Sequence, residues 1–180
     1  MRADRALAPP LEVHHGPAHL CGEDHEAASV TDIREFVDHL LLLRGGSPLD
    51  ICVLDLCEYE DEEIPRMKLW IRHVLICKVQ VLSLDIRRIN NGWDPWLGLG
   101  NLPLVSQNVK RLKLGCVQLN DSFLDFSSCP ALEVLEFDCC QFLDCHRISS
   151  QSLKFLSFSN CDFDRVLHLY LCPESHFTLA

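Results

Sequence analysis

The sequence has no apolar run that approaches the roughly 20 residues of a membrane-spanning helix. Its first ten residues, MRADRALAPP, contain no signal-like apolar segment. Basic residues are scarce, because 16 lysines and arginines stand against 26 acidic residues and give a formal net charge of −10. General affinity for nucleic acid or anionic membranes requires a basic face, so this charge argues against both partners. We therefore expect a soluble intracellular protein, located in the cytoplasm or the nucleus.

Common signatures of catalytic and metal sites are also missing. No C-x-x-C, H-E-x-x-H or G-x-S-x-G motif occurs, and the GLG at 98–100 lacks the lysine and hydroxyl residue of a phosphate-binding loop. The segment CCQFLDCHR nevertheless holds Cys139, Cys145 and His146, which could form a zinc site or a Cys–His nucleophile pair. We expect a non-enzyme without catalytic residues, bound metal or cofactor. A metal- or thiol-dependent enzyme is the less favoured alternative.

Cysteine and apolar residues, in contrast, are plentiful. The 180 residues include 11 cysteines, and apolar residues make up 48% of the chain, which is enough for one domain with a sizeable core. Residues 1–30 mix proline, alanine, histidine and acids without periodicity, and we predict a disordered leader there. The leader contains possible metal ligands whose spacing matches no closed zinc pattern: His14, His15, His19, Cys21 and His25.

Two helices and two strands are predicted to alternate in the first half of the domain. Apolar residues at helical spacing predict one helix from Asp32 to the glycines at 45 and 46, and a second helix that begins near Pro65. Segments rich in β-forming residues predict buried strands at 49–56 and 79–86. Trp93 and Trp96 follow in a loop, either as exposed anchors or, more in keeping with their size, as a buried clasp.

A pattern of apolar residues at the first, fourth and sixth positions of a strand recurs through the chain. Successive copies are separated by longer intervals in the first half of the chain than in the second. The pattern is L-x-x-L-x-L, which is typical of a leucine-rich repeat solenoid. We predict an α/β solenoid of about five repeats over residues 31–163, with an N-terminal helical cap and a divergent tail or C-terminal cap at 164–180. The five matches are Ile51, Leu54, Leu56; Val79, Leu82, Leu84; Val109, Leu112, Leu114; Leu132, Leu135, Phe137; and Leu153, Leu156, Phe158.

The last two repeats continue the pattern with a cysteine at the ninth position, namely Cys140 and Cys161. Side chains at this position turn inward where the strand ends. A cysteine suits such a cramped site, because it is a small apolar residue with a weak S–H donor. We therefore interpret these cysteines as structural. Cys116 lies one place early.

The third and fifth positions of each repeat are predicted to lie on the concave face of the solenoid, since alternate strand residues point to opposite sides. We predict that this face binds a protein partner, with Arg111 and Phe155 as anchors. The alternative is that neighbouring strands, the leader or the tail cover these side chains. The predicted contact residues are Val53, Val81, Arg111, Lys113, Val134, Glu136, Phe155 and Ser157; Asp55 and Ser83 complete the fifth-position row.

Five phrases of the sequence resemble the repeat region of the plant F-box/leucine-rich-repeat family, whose members often end in an FBD module. In chain order they are REFVDHLLLLRGGSPLD, WIRHVLICKVQVLSLDI, LPLVSQNVKRLKL, SFLDFSSCPALEVLEF and ISSQSLKFLSFSNCDF, and they run over residues 34–163.

The resemblance implies a substrate receptor of a cullin-RING (SCF) ubiquitin ligase. In such receptors the F-box binds a Skp-type adaptor, the repeats bind the protein to be ubiquitinated, and other subunits perform the chemistry. No F-box motif precedes the repeats here and no FBD module follows residue 163. Adaptor binding is therefore expected only if an F-box is supplied, and a stand-alone repeat scaffold without a ligase role is the alternative.

Overall fold

Each repeat of the sequence pattern contributes one strand to a parallel sheet. The computed structural model of the chain describes residues 11–14, 30–44, 48–57, 61–87, 96–99, 104–171 and 175–179. A 3-10 turn at Asp61–Glu63 leads into the second helix. The helices and strands, in chain order, are β1 (Leu11–His14), α1 (Val30–Arg44), β2 (Ile51–Cys57), α2 (Ile64–Ile76), β3 (Val81–Arg87), β4 (Leu97–Gly98), β5 (Arg111–Gly115), β6 (Val117–Leu119), β7 (Val134–Asp138), β8 (Gln141–Phe142), β9 (Arg147–Ser149), β10 (Phe155–Ser159), β11 (Asp162–Phe163), β12 (His168–Tyr170) and β13 (His176–Leu179).

The main sheet has seven parallel strands within the described residues, in the order β1-β2-β3-β5-β7-β10-β13. Neighbouring strands pair so that equivalent repeat positions share one row across the sheet. The fourth-position residues Leu82, Leu112, Leu135 and Leu156 share one such row and are buried. Because alternate residues of a strand point to opposite faces, one face of the main sheet packs on the core. We call the other face the open face.

Two smaller parallel sheets and the helices complete the core. The strands β11-β8-β6-β4 form one sheet and β12-β9 form the other. Val117 and Phe142 of the first small sheet and Ile148 of β9 belong to the same buried cluster as the main-sheet leucines. The turns after β5, β7 and β10 therefore lead the chain directly into a second layer that closes the core.

The helices lie before and after β2 and contribute one face each to the core. Val37 and Leu41 of α1 are buried, as are Trp70 and Val74 of α2, in agreement with the helical spacing of the sequence. The Trp70 indole Nε1 donates a hydrogen bond to the Asp38 carboxylate at 2.6 Å, which joins the two helices. No helix within the described residues is both long and apolar enough to cross a bilayer.

The predicted elements of the first half of the domain are confirmed with small shifts. The helix predicted from Asp32 begins at Val30, and the second begins at Ile64, one residue before Pro65. The strands predicted at 49–56 and 79–86 are found at 51–57 and 81–87. Trp96 is half-buried and its Nε1 donates to the Cys139 carbonyl oxygen at 3.0 Å, whereas Trp93 lies outside the described residues.

The predicted repeat positions of the first repeat are wrong, because they lie two residues too far along the strand. Cys52, not Leu54, pairs with Leu82, and Ile51 is 38% exposed rather than buried. The first, fourth and sixth positions are Leu49, Cys52 and Leu54, all of them buried. A small apolar cysteine fills the fourth position. The L-x-x-L-x-L pattern expects a leucine there, and it therefore matched Leu54 instead. With this correction the interval from Cys52 to Leu82 equals the interval from Leu82 to Leu112.

Both ends of the chain contribute more strands than predicted. The prediction of a disordered leader is wrong for Leu11–His14, which pair in parallel with β2. The remaining possible metal ligands of the leader lie outside the described residues.

The tail also continues the repeat, contrary to the prediction that the pattern stops at Phe163. Phe177 of β13 pairs with Leu156 and takes the next fourth position, as far beyond Leu156 along the chain as Leu156 is beyond Leu135. Within the tail or C-terminal cap predicted at 164–180, residues 168–170 form β12, which pairs with β9. The sequence pattern missed β13 because Glu174 stands where the repeat expects an apolar first position.

Phenylalanine replaces leucine in the core of the short later repeats. Phe137 and Phe158 stack with their ring centroids 5.3 Å apart, and Phe142 and Phe163 stack at 4.8 Å. Edge-to-face contacts join the two stacks, such as Phe137 with Phe142 at 5.1 Å. We call these four residues the phenylalanine cluster. Its rings fill the space between the main sheet and the strands β8 and β11.

We expect Phe142→Ala to lower the free energy of unfolding by about 3–5 kcal/mol, because it leaves a cavity among packed rings. Phe36→Ala is the matched control, since Phe36 is 58% exposed on α1, and should change stability by no more than about 0.5 kcal/mol. Urea titration followed by circular dichroism measures both variants. Equal losses in the two would contradict the placement of the cluster.

Candidate functional site

Two rows of side chains cross the open face of the main sheet. The third-position row consists of Ile51, Val81, Arg111, Val134, Phe155 and His176. The fifth-position row consists of Val53, Ser83, Lys113, Glu136, Ser157 and Thr178. The eight residues predicted as partner contacts therefore all lie in these two rows of one face. Whether they bind a partner stays a prediction.

One predicted position within the rows is corrected. Val53 lies beside Ser83 in the fifth-position row, not beside Val81 in the third-position row. Asp55 moves in the same way and pairs with Asp85. Ile51 takes the place assigned to Val53, and sequence reasoning missed it because the frame of this repeat was displaced. The alternation Ile51, Val53, Asp55 opposite buried Cys52 and Leu54 is the signal that could have identified it.

The open face contains a shallow pocket of about 280 Å³ over β5, β7, β10 and β13. An ion pair spans part of it, with Arg111 Nε 3.5 Å from Glu136 Oε2 on the neighbouring strand. Both side chains are exposed, so this pair contributes little to stability and can exchange one of its members for a partner group. The pocket is lined by Arg111, Val134, Glu136, Phe155, Leu156, Ser157 and Thr178.

Phe155 is the large exposed apolar group of this pocket. Its side chain is 55% exposed, and its ring stacks on the His176 ring of β13 with centroids 5.4 Å apart. Val81 and Val134, in contrast, are half-buried by their neighbours. The alternative prediction was that the tail covers these side chains. Within the described residues the tail does not cover Phe155, because β13 lies beside β10 in the sheet and leaves the ring exposed.

Acidic residues border the rows at the carboxyl ends of the strands. Asp85 and Asp138 flank Gly115 in the next row of the sheet. A Cβ atom on Gly115 would lie 2.9 Å from the carboxylate of Asp85, which is too close for a van der Waals contact. Glycine at this position therefore allows the carboxylate to lie over the neighbouring strand. The open face therefore combines a basic and an aromatic group in its pocket with carboxylates at the carboxyl ends of the strands.

The cysteines and histidine of the alternative enzyme hypothesis are engaged in structural contacts. The Cys145 thiol is buried and donates to the Leu119 carbonyl oxygen at 3.3 Å. Burial, with a smaller effect of the Asp121 carboxylate, raises the pKa of Cys145 to about 12, which disfavours the nucleophilic thiolate. The His146 ring Nδ1 is 2.7 Å from Asp121 Oδ2. Within the described residues, no group of three His, Cys, Asp or Glu side chains is arranged to hold a metal.

The cysteines of the inner turns cap backbone carbonyls of the preceding repeat. Cys140, at the predicted ninth position, has its Sγ 3.2 Å from the Leu114 carbonyl oxygen, and Cys129 donates to that of Leu104 at the same distance. Cys161, the other predicted ninth-position residue, donates to Ser159 within its own turn at 3.3 Å. Cys116 and Cys139 share the eighth position and both have positive φ, with values of 54° and 51°.

These features define an α/β repeat protein of the leucine-rich type, with one parallel strand for each repeat. The family model described as FBD-associated F-box protein At5g56370, LRR repeats, matches residues 55–170. The chain belongs to this leucine-rich-repeat family of plant F-box-associated proteins, since the match covers more than half of its 180 residues. Leucine-rich repeat domains generally bind proteins through their strand face. Neither a curated protein nor a solved structure matches the chain.

A pair of adjacent substitutions tests which face of β10 is open. Phe155→Ala should lower the free energy of unfolding by about 1 kcal/mol or less, because it removes an exposed ring that stacks on one neighbour. Leu156→Ala should lower it by about 2–5 kcal/mol, because Leu156 is buried. Chemical denaturation measures both, and a larger loss in Phe155→Ala would contradict the assignment of the open face.

Proposed function

We propose that the chain is a non-enzymatic protein-binding module, the substrate-recognition part of an F-box receptor in an SCF ubiquitin ligase. Its repeats would stack as a solenoid with the open face on the concave side. A Skp-type adaptor would join only through an F-box, and the ligase would act in the cytoplasm or nucleus, where thiols stay reduced. Family membership supports the general role in protein binding.

The pocket on the open face is the observation that carries the proposal. Aromatic and arginine side chains dominate the energetics of protein interfaces, especially where they lie in a pocket that excludes water. Phe155 and Arg111 line one pocket together, with Glu136 as the counter-charge of the arginine. A partner that presents a carboxylate to Arg111 and an apolar side chain to Phe155 would satisfy both groups.

The absence of bond chemistry is part of the same proposal. The Cys145 thiol is buried against a backbone carbonyl and its pKa is raised, which supports a structural rather than a nucleophilic role for it. In an SCF ligase the conjugating enzyme and RING subunit perform the transfer, and the receptor contributes only proximity. The proposal therefore requires a binding face, and it requires no reactive group on this chain.

A quantitative affinity capture from plant extract tests the binding face. The bait is compared with its Phe155→Ala/Arg111→Glu double variant and with Phe36→Ala, which alters an exposed ring on α1 instead. We expect at least one protein to be recovered about tenfold less on the double variant and equally on the control, because hot-spot residues contribute about 2 kcal/mol or more. Equal recovery of every captured protein on all three baits would refute the role of the open face.

The ligase role has its own test. The chain is fused behind an F-box and assayed with a Skp-type adaptor, the cullin-RING subunits and the captured protein. We expect ubiquitination of that protein, its loss with the Phe155→Ala/Arg111→Glu variant, and no adaptor binding without the F-box. Binding of the captured protein without ubiquitination in the assembled ligase would leave a stand-alone repeat scaffold as the function.

A further inference from the structure

Two cysteine thiols lie side by side where the last repeats turn inward. Asp162 pairs with Gln141 in the parallel ladder of β11 and β8. Cys161 and Cys140 immediately precede these two residues and therefore lie opposite each other. The Asp162 backbone N–H donates to the Cys140 carbonyl oxygen at 2.9 Å and fixes this register. Paired strands lie about 4.8 Å apart, which falls inside the Cα–Cα range of about 4.4–6.8 Å that a disulfide spans.

The two thiols differ in their surroundings. Cys140 is buried, with its Sγ 3.2 Å from the Leu114 carbonyl oxygen. Cys161 is half-buried, so a small solute can reach it. The side-chain contact with Cys140 lowers the pKa of Cys161 below the usual value for a thiol, and the same contact raises that of Cys140. One accessible, acidic thiol therefore stands next to one protected thiol.

We propose that Cys161 and Cys140 form a peroxide-sensitive site, in which Cys161 is oxidised first and Cys140 then closes a reversible disulfide with it. This proposal is independent of the proposed function. An accessible thiol of thiolate character with a second thiol in contact is the arrangement that redox-sensing cysteines use.

The chemistry balances with hydrogen peroxide as the oxidant. The Cys161 thiolate attacks one peroxide oxygen, the O–O bond breaks, and the departing hydroxide takes a proton to become water. The resulting sulfenic acid is attacked at sulfur by Cys140, whose thiol proton leaves with the hydroxyl group as a second water. Two thiols and one peroxide thus give one disulfide and two waters, and a dithiol reductant reverses the step.

The site would act on the strands that carry the pocket. Cys140 lies just beyond the end of β7, and Cys161 lies just beyond the end of β10. Val134 and Phe155 of these strands line the open-face pocket. A disulfide would draw Cys140 away from the Leu114 carbonyl and lock together the two turns that follow these strands.

Cys116 and Cys139 form a rival pair with a similar placement. They occupy neighbouring positions after β5 and β7, and their side chains also hydrogen-bond. Burial and the adjacent Asp138 carboxylate raise the pKa of Cys139, which disfavours its thiolate. We therefore expect oxidation at Cys161 before oxidation in this pair, and Cys139→Ser supplies a matched control.

Peptide mapping of the full chain tests the proposal. The reduced protein is treated with hydrogen peroxide, its remaining thiols are alkylated, and it is digested with trypsin. Peptide 155–165 contains Cys161 as its one cysteine, whereas peptide 114–147 contains Cys140 and four others. We expect a link between these peptides that a dithiol removes. Its yield should be unchanged in Cys139→Ser and reduced at least about tenfold in Cys140→Ser.

Two outcomes would overturn the proposal. One is an unchanged yield of the link in Cys140→Ser, and the other is an internal link in peptide 114–147 that forms before any link to peptide 155–165. Should Cys140→Ser fail to fold, Cys161→Ser at the half-buried position replaces it. There Cys140 must stay reduced under the same peroxide dose, and its oxidation would likewise contradict the assignment.

Discussion

The register of the parallel main sheet is the constraint on which the rest of the structure depends. Paired residues share a face, so one register places Leu112, Leu135 and Leu156 in the core and leaves Arg111 and Phe155 on the open face. A slip of one residue would exchange the two faces. A slip of two would keep the faces but separate the side chains that now meet in the pocket. The candidate site is therefore a consequence of strand pairing.

The inward turns obey the same constraint and give cysteine two roles. A thiol in such a turn is small enough to reach a backbone carbonyl of the preceding repeat, as Cys140 does at Leu114. The repeat that brings Cys140 to this place brings Cys161 to the same place one strand further on, in contact with it. The repetition of one structural position along the chain therefore brings two thiols together.

The sequence predicts the fold where each repeat position holds a bulky apolar residue. The repeats of β7 and β10, with leucine and phenylalanine at their inner positions, were aligned correctly. The first repeat was displaced because Cys52 does not stand out in the pattern, and β13 was missed because Glu174 breaks it. The strand β1 is too short to show a repeat period, so the sequence predicts only a leader there. In each case the pairing with a neighbouring strand, which a local pattern does not contain, decides the structure.

The candidate site is less accessible to sequence reasoning than the fold. Alternation places all eight predicted contacts on one face of the sheet. The pocket, however, arises from groups such as Arg111, Val134 and Phe155 that belong to different repeats and are adjacent only through the register. Interstrand nuclear Overhauser effects between backbone protons test this register most directly. The account predicts contacts that join Val53 with Ser83 and Lys113 with Glu136. Contacts that join Asp55 with Ser83 instead would contradict it.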